Sequence, residues 1–319
     1  MYENKACNVR GERPNAIFIA VDDAFEEQTK LFFRSIQANW KDHPLIMVMF
    51  NGKNCNAKRF ITRQSNVRLL DREIAHLITG PVMQHLEGKV DARTFYARCT
   101  LWSEAFSEFN NILHLDVDTL VLEPLDELMS EKTFTMFTEE QITPDFIFTD
   151  HEDPGLIQQL AMDGITVDPY RANAGVFLMP PQYRCASEYE GICGLLDRYG
   201  KYLRWADQSL INLWMIKERI ATSPNVEWNF QIRTIRPSYL DFQKAKILHF
   251  NGVPDPFRIQ LMKLALDMLE EGVGKYDVAK FLSGAYQSSR KQMHTNLKKA
   301  ALLLSFAMQL FLDSCASAF

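Results

Sequence analysis

Residues 111–122 read Asn-Ile-Leu-His-Leu-Asp-Val-Asp-Thr-Leu-Val-Leu, an apolar run that two acidic side chains interrupt before it resumes. Such a run is typical of a core strand that leads into a polar loop. Side chains two apart in an extended chain project to the same side, so Asp116 and Asp118 would place two carboxylates beside one divalent cation. The alternative for so short a pattern is a turn with solvated acids, and position in the fold has to decide between them.

Apolar runs and helical periodicities alternate on both sides of this segment. Short apolar runs predict strands at Ala16–Val21, Leu45–Phe50, Val67–Leu70, Phe134–Phe137, Phe146–Thr149 and Gly175–Met179. Helical spacing of apolar residues predicts helices at Thr29–Trp40, Phe95–Phe109, Tyr189–Tyr199, Gln208–Glu218, Ile259–Glu271 and from Val278 onward. The alternation predicts an α/β sandwich around a mostly parallel sheet, in which ligands bind at the carboxyl ends of strands. The two aspartates fall at such an end, which favours the cation site.

Length and charge limit the class of protein. The 319 residues include 40 acidic and 35 basic side chains, with a net charge of −5 and a sequence pI near 5.9. No overall positive field would attract a polyanion, so nucleic acid is excluded as a main partner. The six cysteines lack metal-binding spacing and predict reduced thiols, and neither a secretory signal nor a membrane-spanning run is recognised. We therefore expect a cytoplasmic protein with one main core.

Two carboxylates alone are an incomplete site for Mg²⁺ or Mn²⁺, which substrate phosphates commonly complete. The segment thus favours a phosphorylated ligand and leaves two reaction classes open. A phosphatase with an aspartyl nucleophile would resemble the haloacid dehalogenase pattern Asp-x-Asp-x-Thr, but Leu120 occupies the last position and the threonine is Thr119. The second class transfers a sugar from a nucleotide diphosphate.

Several short segments follow one another in an order that resembles a known family. They are Ala20-Val21-Asp22-Asp23-Ala24-Phe25, Tyr96-Ala97-Arg98, Asp116-Val117-Asp118, Asn173-Ala174-Gly175-Val176, Ala206-Asp207-Gln208-Ser209-Leu210 and His249-Phe250-Asn251-Gly252. In this order they resemble the family 8 glycosyltransferases, which are retaining enzymes of the GT-A fold, a Rossmann-like α/β/α sandwich of nucleotide-diphospho-sugar transferases. The resemblance extends from about Ala16 to Phe257.

The resemblance implies a role for each matched residue. Asp116, Asp118 and His249 would bind Mn²⁺ or Mg²⁺, since a borderline ion accepts an imidazole beside carboxylates. Asp22 would accept the uracil N–H, and Phe25 would stack on the base where the family usually has tyrosine. The implied donor site contains these residues together with Ala20, Arg98, Val117, Asn173, Ala174, Gly175, Asp207, Gln208 and Gly252.

Within that site the resemblance implies contacts to the donor sugar. Arg98 and Asp207 would hydrogen-bond its hydroxyls, and Asn173–Gly175 would line the pocket floor, where small residues let a sugar approach the backbone. Gln208 would lie below the anomeric carbon, so Asp207 and Gln208 are the candidate catalytic residues. The implied reaction is transfer with retention, in which a bound metal neutralises charge on the departing diphosphate.

The last motif departs from the family pattern. That pattern, His-x-x-Gly-x-x-Lys-Pro-Trp, places a lysine on the diphosphate, whereas this chain has Asp255 there, followed by Pro256 and Phe257. A carboxylate would repel a phosphate. We therefore expect Arg258 to take over the phosphate contact with its planar guanidinium. The alternative is that Arg258 pairs with Asp255 at the surface.

The resemblance also suggests a domain organisation. We expect a catalytic domain at residues 1–257, with its nucleotide-sugar half at about 15–125 and its acceptor half at about 126–257, and a helical tail at 258–319. From Phe281 to Lys299 the tail has basic but no acidic side chains, and the apolar run Ala300–Leu312 follows. This order predicts peripheral attachment to an anionic membrane surface. The alternative is a helix that packs on the protein's own core.

Three functions are compatible with these observations. The first is a metal-dependent hexosyltransferase that moves a hexose from a UDP-sugar to a glycan or glycolipid acceptor. The second is a non-catalytic protein that binds sugar nucleotides, which the Asp255 substitution favours. The third is a metal-dependent phosphatase. Turnover of a nucleotide sugar would separate the first from the second, and hydrolysis of simple phosphomonoesters would support the third.

Overall fold

The computed structural model describes residues 13–70, 92–138, 147–149, 151–166, 172–232, 239–253 and 257–292. The chain divides into two compact units, each of which is discontinuous in sequence. Unit 1 comprises Met1–Glu26, Asp42–Val117 and Pro124–Asn225. Unit 2 comprises Glu27–Lys41, Asp118–Glu123 and Val226–Phe319. Each unit has a hydrophobic core of its own.

Strands and helices alternate along most of the described chain. The strands are β1 (Ala16–Val21), β2 (Leu45–Phe50), β3 (Val67–Leu70), β4 (Ile112–Leu115), β5 (Thr119–Val121), β6 (Thr135–Thr138), β7 (Ala172–Met179), β8 (Phe230–Gln231) and β9 (Ile247–His249). The α-helices are α1 (Glu26–Asn39), α2 (Cys55–Thr62), α3 (Ala92–Ala97), α4 (Asp126–Met129), α5 (Pro154–Met162), α6 (Ala186–Tyr199), α7 (Ala206–Lys217), α8 (Phe257–Glu270) and α9 (Lys275–Gln292). Short 3₁₀ helices include Asp23–Phe25, Arg98–Trp102, Glu104–Phe106 and Val226–Asn229.

Unit 1 contains a six-stranded sheet in the order β3-β2-β1-β4-β7-β6. β1 pairs in parallel with β2 and β4, and β2 pairs in parallel with β3. β7 is antiparallel to both β4 and β6. The continuous apolar sequence of β1 and the fully buried sequence of β4, in which His114 is the one polar residue, suit this central position. The predicted α/β fold with a mostly parallel sheet is confirmed.

Unit 2 contains a three-stranded sheet in the order β5-β9-β8, with β5 antiparallel and β8 parallel to β9. Helix α1 satisfies the backbone of β5, because Ser35 Oγ accepts from the Val121 N–H at 3.0 Å and Asn39 Nδ2 donates to the Val121 carbonyl at 2.9 Å. Helices α8 and α9 bury leucines such as Leu261 and Leu282 in the same core. The predicted C-terminal helices are therefore confirmed within the described residues.

Most predicted elements are confirmed with shifts of a few residues at their ends, and two are wrong. The predicted helix Phe95–Phe109 is replaced by α3 and two 3₁₀ helices, because Ser103 is extended (ψ 162°) and its hydroxyl caps the second of them. Within the predicted strand Phe146–Thr149, residues 147–149 form a turn with one bridge from Phe148 to Leu203. The apolar run Ala300–Leu312 lies outside the described residues.

Candidate active site

Arg98 connects three parts of unit 1 at one point. It begins the 3₁₀ helix that follows α3, and its side chain is 8% exposed. Nη2 lies 3.0 Å from Asp116 Oδ1, Nε lies 2.6 Å from Asp207 Oδ2, and Nη1 donates to the Ala174 carbonyl at 2.9 Å. A planar guanidinium suits this arrangement because its N–H groups point in fixed, divergent directions. The structure thus brings Arg98, Asp116 and Asp207 together.

Asp116 contacts His114, a residue that the sequence motifs did not predict. The Asp116 backbone N–H donates to the Gly175 carbonyl at 2.7 Å, and Asp116 Oδ1 lies 3.2 Å from His114 Nε2. Burial lowers the pKa of His114 to about 4, with the nearby Arg98 charge as a second cause. The ring is therefore neutral at neutral pH, and Nε2 can donate only in the tautomer with its proton there. The sequence signal for His114 is its position two residues before Asp116, which places both side chains on the same side of an extended chain.

Asp207 is a buried carboxyl at the start of α7. Burial raises its pKa to about 7, repulsion from Asp116 acts in the same direction, and the Arg98 guanidinium opposes both. The preceding residue, Ala206, has φ +47°, a left-handed conformation that is unfavourable for a residue with a Cβ atom. This turn starts the helix in which Asp207 and Gln208 are consecutive residues.

The segment Asn173–Gly175 lies in β7 and is bound by α7. Gln208 Oε1 accepts from Asn173 Nδ2 and from the Ala174 N–H, both at 3.1 Å. Asn212, one turn further along α7, accepts from the Ala172 N–H at 2.7 Å and donates to the Ala172 carbonyl at 2.9 Å. Two amide side chains one turn apart therefore fix β7 to the helix that carries Asp207. Asn212 is a second residue that the motif search missed.

Asp22 follows β1 and is almost completely buried. Its Oδ1 accepts from the Ala24 N–H at 2.9 Å, as an N-cap does, and its Oδ2 accepts from Thr94 Oγ1 at 3.0 Å. Thr94 was not predicted, because a single threonine has no motif. Phe25, at the end of the same 3₁₀ helix, is partly exposed, as is Ala20 at the end of β1. The structure therefore fixes the Asp22 carboxylate after β1, three residues before the partly exposed Phe25 ring.

Unit 2 contributes Asp118 and His249. Asp118 Oδ1 lies 3.2 Å from His249 Nε2, and Asp118 Oδ2 lies 3.0 Å from Arg258 Nη1. Arg258 Nε also donates to the Val253 carbonyl at 2.8 Å. The turn between β9 and α8 contains Gly252 at φ +69°, a backbone conformation that favours glycine. Asp255, the partner of Arg258 in the alternative interpretation, lies outside the described residues.

Asp118 and His249 are candidate metal ligands in unit 2, with Asp118 Oδ1 3.2 Å from His249 Nε2. Asp116 precedes Asp118 by two residues, with the buried Val117 between them, and would be the third ligand. The donor set fits a borderline divalent cation, which binds imidazole nitrogen and carboxylate oxygen together. Such an ion would also relieve the repulsion between electron-rich ligand atoms at these distances.

The fold and this site define a class of protein, a GT-A type sugar transferase. The galactosyltransferase LgtC in complex with donor and acceptor sugar analogues is 18% identical, with 76% of this chain and 89% of LgtC covered at a TM-score of 0.53. The bifunctional glycosyltransferase WbbM in its apo form is 17% identical, with 78% and 47% covered and a TM-score of 0.54. At such identities the likeness shows the fold.

The model of glycosyl transferase family 8 matches residues 16–256. The chain belongs to glycosyl transferase family 8, and the predicted family and GT-A fold are confirmed. A search of curated proteins found no match. A glycosyltransferase activity follows from the family.

The cysteines within the described ranges, Cys55, Cys99, Cys185 and Cys193, are free thiols. Among the helices in the described parts of the chain, none is both long and apolar enough to cross a membrane.

Proposed function

We propose that this protein is a metal-dependent hexosyltransferase that moves a hexose from a UDP-sugar to a glycan or glycolipid acceptor with retention of configuration. The observation that carries the proposal is the position of Arg98, whose guanidinium lies 3.0 Å from Asp116 and 2.6 Å from Asp207. A candidate metal ligand and the candidate sugar-binding carboxyl are therefore coupled through one side chain.

Asp116, Asp118 and His249 would hold the metal, and diphosphate oxygens would complete its coordination. Their donor set favours Mn²⁺ over Mg²⁺, which prefers oxygen ligands alone. A bound divalent ion would neutralise the negative charge that develops on the diphosphate as the glycosidic bond breaks. Arg258, fixed by Val253 and Asp118, would add a cationic N–H donor for the same phosphates.

The sugar contacts are assigned to Arg98, Asp207 and β7. Asp207 would accept a hydrogen bond from a sugar hydroxyl when ionised, and Arg98 would donate one. Gln208 directs its oxygen at Asn173 Nδ2 and the Ala174 N–H. Because those two donors occupy the oxygen, the geometry favours Gln208 as a residue that shapes the pocket floor over Gln208 as a covalent nucleophile. In the resulting reaction, the acceptor hydroxyl forms the new C–O bond and its proton passes to the departing phosphate.

Asp22 and Phe25 are assigned to the base. Thr94 and the Ala24 N–H hold the Asp22 carboxylate in place, and this leaves a fixed acceptor for the imide N–H of uracil. A partly exposed phenyl ring three residues later suits stacking. These contacts would select UDP over purine nucleotides, whose Watson–Crick edges differ from that of uracil.

The test is a panel of nucleotide sugars offered with Mn²⁺, in which thermal shift and release of free nucleotide are both measured. We expect UDP-sugars alone to raise the melting temperature and to release UDP. Asp118→Asn and EDTA should each abolish the release, whereas the matched variant Asp42→Asn, at an exposed acid, should not. A panel without any UDP release, or release that persists in EDTA, would contradict the proposal. Hydrolysis of phosphomonoesters would instead support a phosphatase.

A further inference from the structure

The buried side chain of Asn229 contacts the ring nitrogen of His249 that faces away from Asp118. Asn229 ends the 3₁₀ helix Val226–Asn229, directly before β8, and is 3% exposed. Its Oδ1 lies 2.9 Å from His249 Nδ1. On the other side of the ring, Nε2 lies 3.2 Å from Asp118 Oδ1.

The position of Asn229 is fixed by the sheet of unit 2. β8 pairs in parallel with β9, with Gln231 beside His249. The Lys246 N–H donates to the Glu227 carbonyl at 2.8 Å, which ties the 3₁₀ helix to the segment before β9. The Asn229 amide and the His249 imidazole therefore both lie on rigid elements. The surrounding core resists small rotations of either side chain.

The contact determines where the imidazole proton lies. An amide oxygen is only an acceptor, so its partner Nδ1 must carry the proton. In the neutral ring Nε2 then bears a lone pair, and this is the form in which histidine binds a metal. If Nε2 carried the proton, it would donate to Asp118 Oδ1 and could not bind a metal.

We infer that Asn229 is a positioning residue that keeps the His249 proton on Nδ1 and directs the Nε2 lone pair beside Asp118, where it selects a borderline divalent cation such as Mn²⁺. The inference rests on the proposed metal dependence and adds the residue that makes His249 a ligand. Residues that orient metal ligands in this way typically change metal affinity by about 10- to 100-fold when replaced.

The first experiment reads the tautomer in the metal-free full chain. Proton–nitrogen correlation spectra of the imidazole rings at pH 8, with His249→Gln used to assign the signal, should show the proton on Nδ1. In Asn229→Leu it should move to Nε2. Finding the Nε2 proton in the unsubstituted protein would overturn the inference, whatever the variant does.

The second experiment measures Mn²⁺ affinity without any donor, by the electron paramagnetic resonance signal of free Mn²⁺. Asn229→Leu should weaken Mn²⁺ binding about 10- to 100-fold, while Asn229→Asp, which keeps an acceptor, should not. Gln231→Leu is the matched control, because it removes a neighbouring buried amide, whose Oε1 accepts from Asn251 at 2.9 Å, and keeps the Asn229 amide that contacts His249. Circular dichroism checks that each variant is folded.

A third variant separates the two possible failures. If His249→Gln lowers Mn²⁺ affinity and folded Asn229→Leu does not, the role of Asn229 is refuted and the metal site stands. If His249→Gln leaves Mn²⁺ affinity unchanged, His249 is not a ligand, and both the inference and the proposed metal centre fail.

Discussion

Arg98 is the residue on which the candidate sugar-binding and metal-binding carboxyls converge. We expect Arg98→Lys to reduce kcat/KM for the donor about 10- to 100-fold, because an ammonium cannot bind Asp116, Asp207 and the Ala174 carbonyl together. Losing one hydrogen bond to a charged group costs about 1.5 to 3 kcal/mol, which corresponds to that range.

Steady-state kinetics with a UDP-sugar would measure the effect. Arg68→Lys is the control, since Arg68 forms an exposed pair with Glu108 in the same unit, and exposed pairs contribute about 0 to 1 kcal/mol. An Arg98→Lys enzyme with the kinetics of the Arg68→Lys enzyme would show that the guanidinium geometry is not needed.

Asp207 gives the structure a pH dependence of known sign. Burial raises its pKa to about 7 in the folded protein, whereas an unfolded aspartate has a pKa of about 3.9. Between these values the folded state binds the extra proton, so the free energy of unfolding falls as pH rises, by at most about 1.4 kcal/mol per pH unit. Asp207→Asn cannot ionise and should lack this slope.

Urea unfolding at several pH values between 4 and 7 would test the Asp207 prediction, with the difference between the two proteins as the measured quantity. The Asn variant should gain stability relative to the unsubstituted protein as pH increases. A difference that is constant with pH would show that Asp207 remains ionised throughout, with its charge balanced by Arg98.

At this scale the sequence predicted residues that occur in motifs and missed the residues that support them. Asp116, Asp118, Arg98 and Asp207 were selected because their neighbours form a recognisable order. His114 contacts Asp116. Thr94, Asn212 and Asn229 contact Asp22, Ala172 and His249, and each lies 20 or more positions from its partner. A contact between distant positions has no local pattern, so only the fold reveals it.

Among the connecting segments, the loop after β2 is fixed by the Asp23 carboxylate, which lies close to the backbone of the loop. Asp23 accepts from the N–H groups of Lys53 and Asn54 at 2.7 and 2.8 Å, and a Cβ atom at Gly52 would lie 2.1 Å from Asp23 Oδ1. Gly52→Ala must therefore displace the carboxylate from both donors. We expect a loss of about 1 to 3 kcal/mol in the free energy of unfolding.

Urea unfolding measures the Gly52→Ala effect, and Gly194→Ala provides a control of opposite sign. Gly194 lies in α6, where an added Cβ atom would enter open space, so alanine there should stabilise the protein by about 0.5 to 1 kcal/mol. Equal effects at the two glycines would mean that Asp23 moves away at no cost.

The elements show where an apolar pattern predicts the bounds of a strand or helix and where it fails. β1, β2 and β3 match the predicted bounds because continuous apolar runs with polar ends leave little freedom. The segment 95–109 has helical spacing, but Ser103 bonds the Thr100 carbonyl at 2.7 Å and caps a new turn. Such local side-chain bonds compete with helix propagation, and apolar spacing does not report them.

On the scale of the whole molecule, the hydrophobic core of unit 2 extends beyond the last residue of the family match. The match ends at residue 256, while the core of unit 2 continues through Leu282 in α9. The sequence could predict these helices but could not show that α1, near the start of the chain, shares their core. Arg34 of α1 pairs with Asp267 at 2.9 Å and also with Glu270, across more than 200 positions.

The tail prediction can be tested separately from the fold because of this packing. A chain that ends at Gln292 keeps every described residue of α8 and α9, so it should unfold like the full chain. It lacks Lys298, Lys299 and the apolar run Ala300–Leu312. If the basic and apolar segments bind anionic lipid, each cation near the surface contributes about 1 kcal/mol.

We therefore expect the full chain to co-sediment with vesicles that contain phosphatidylserine, and the truncated chain to remain in solution. Lys298→Glu combined with Lys299→Glu in the full chain should weaken binding by at least about one to two orders of magnitude, since two attractive charges are lost and two repulsive charges replace them. Raising the salt concentration should have a similar effect because it screens exposed charges. If the truncated chain co-sediments as well as the full chain, residues 293–319 are not a membrane anchor, and the glycolipid acceptor loses its support from the tail.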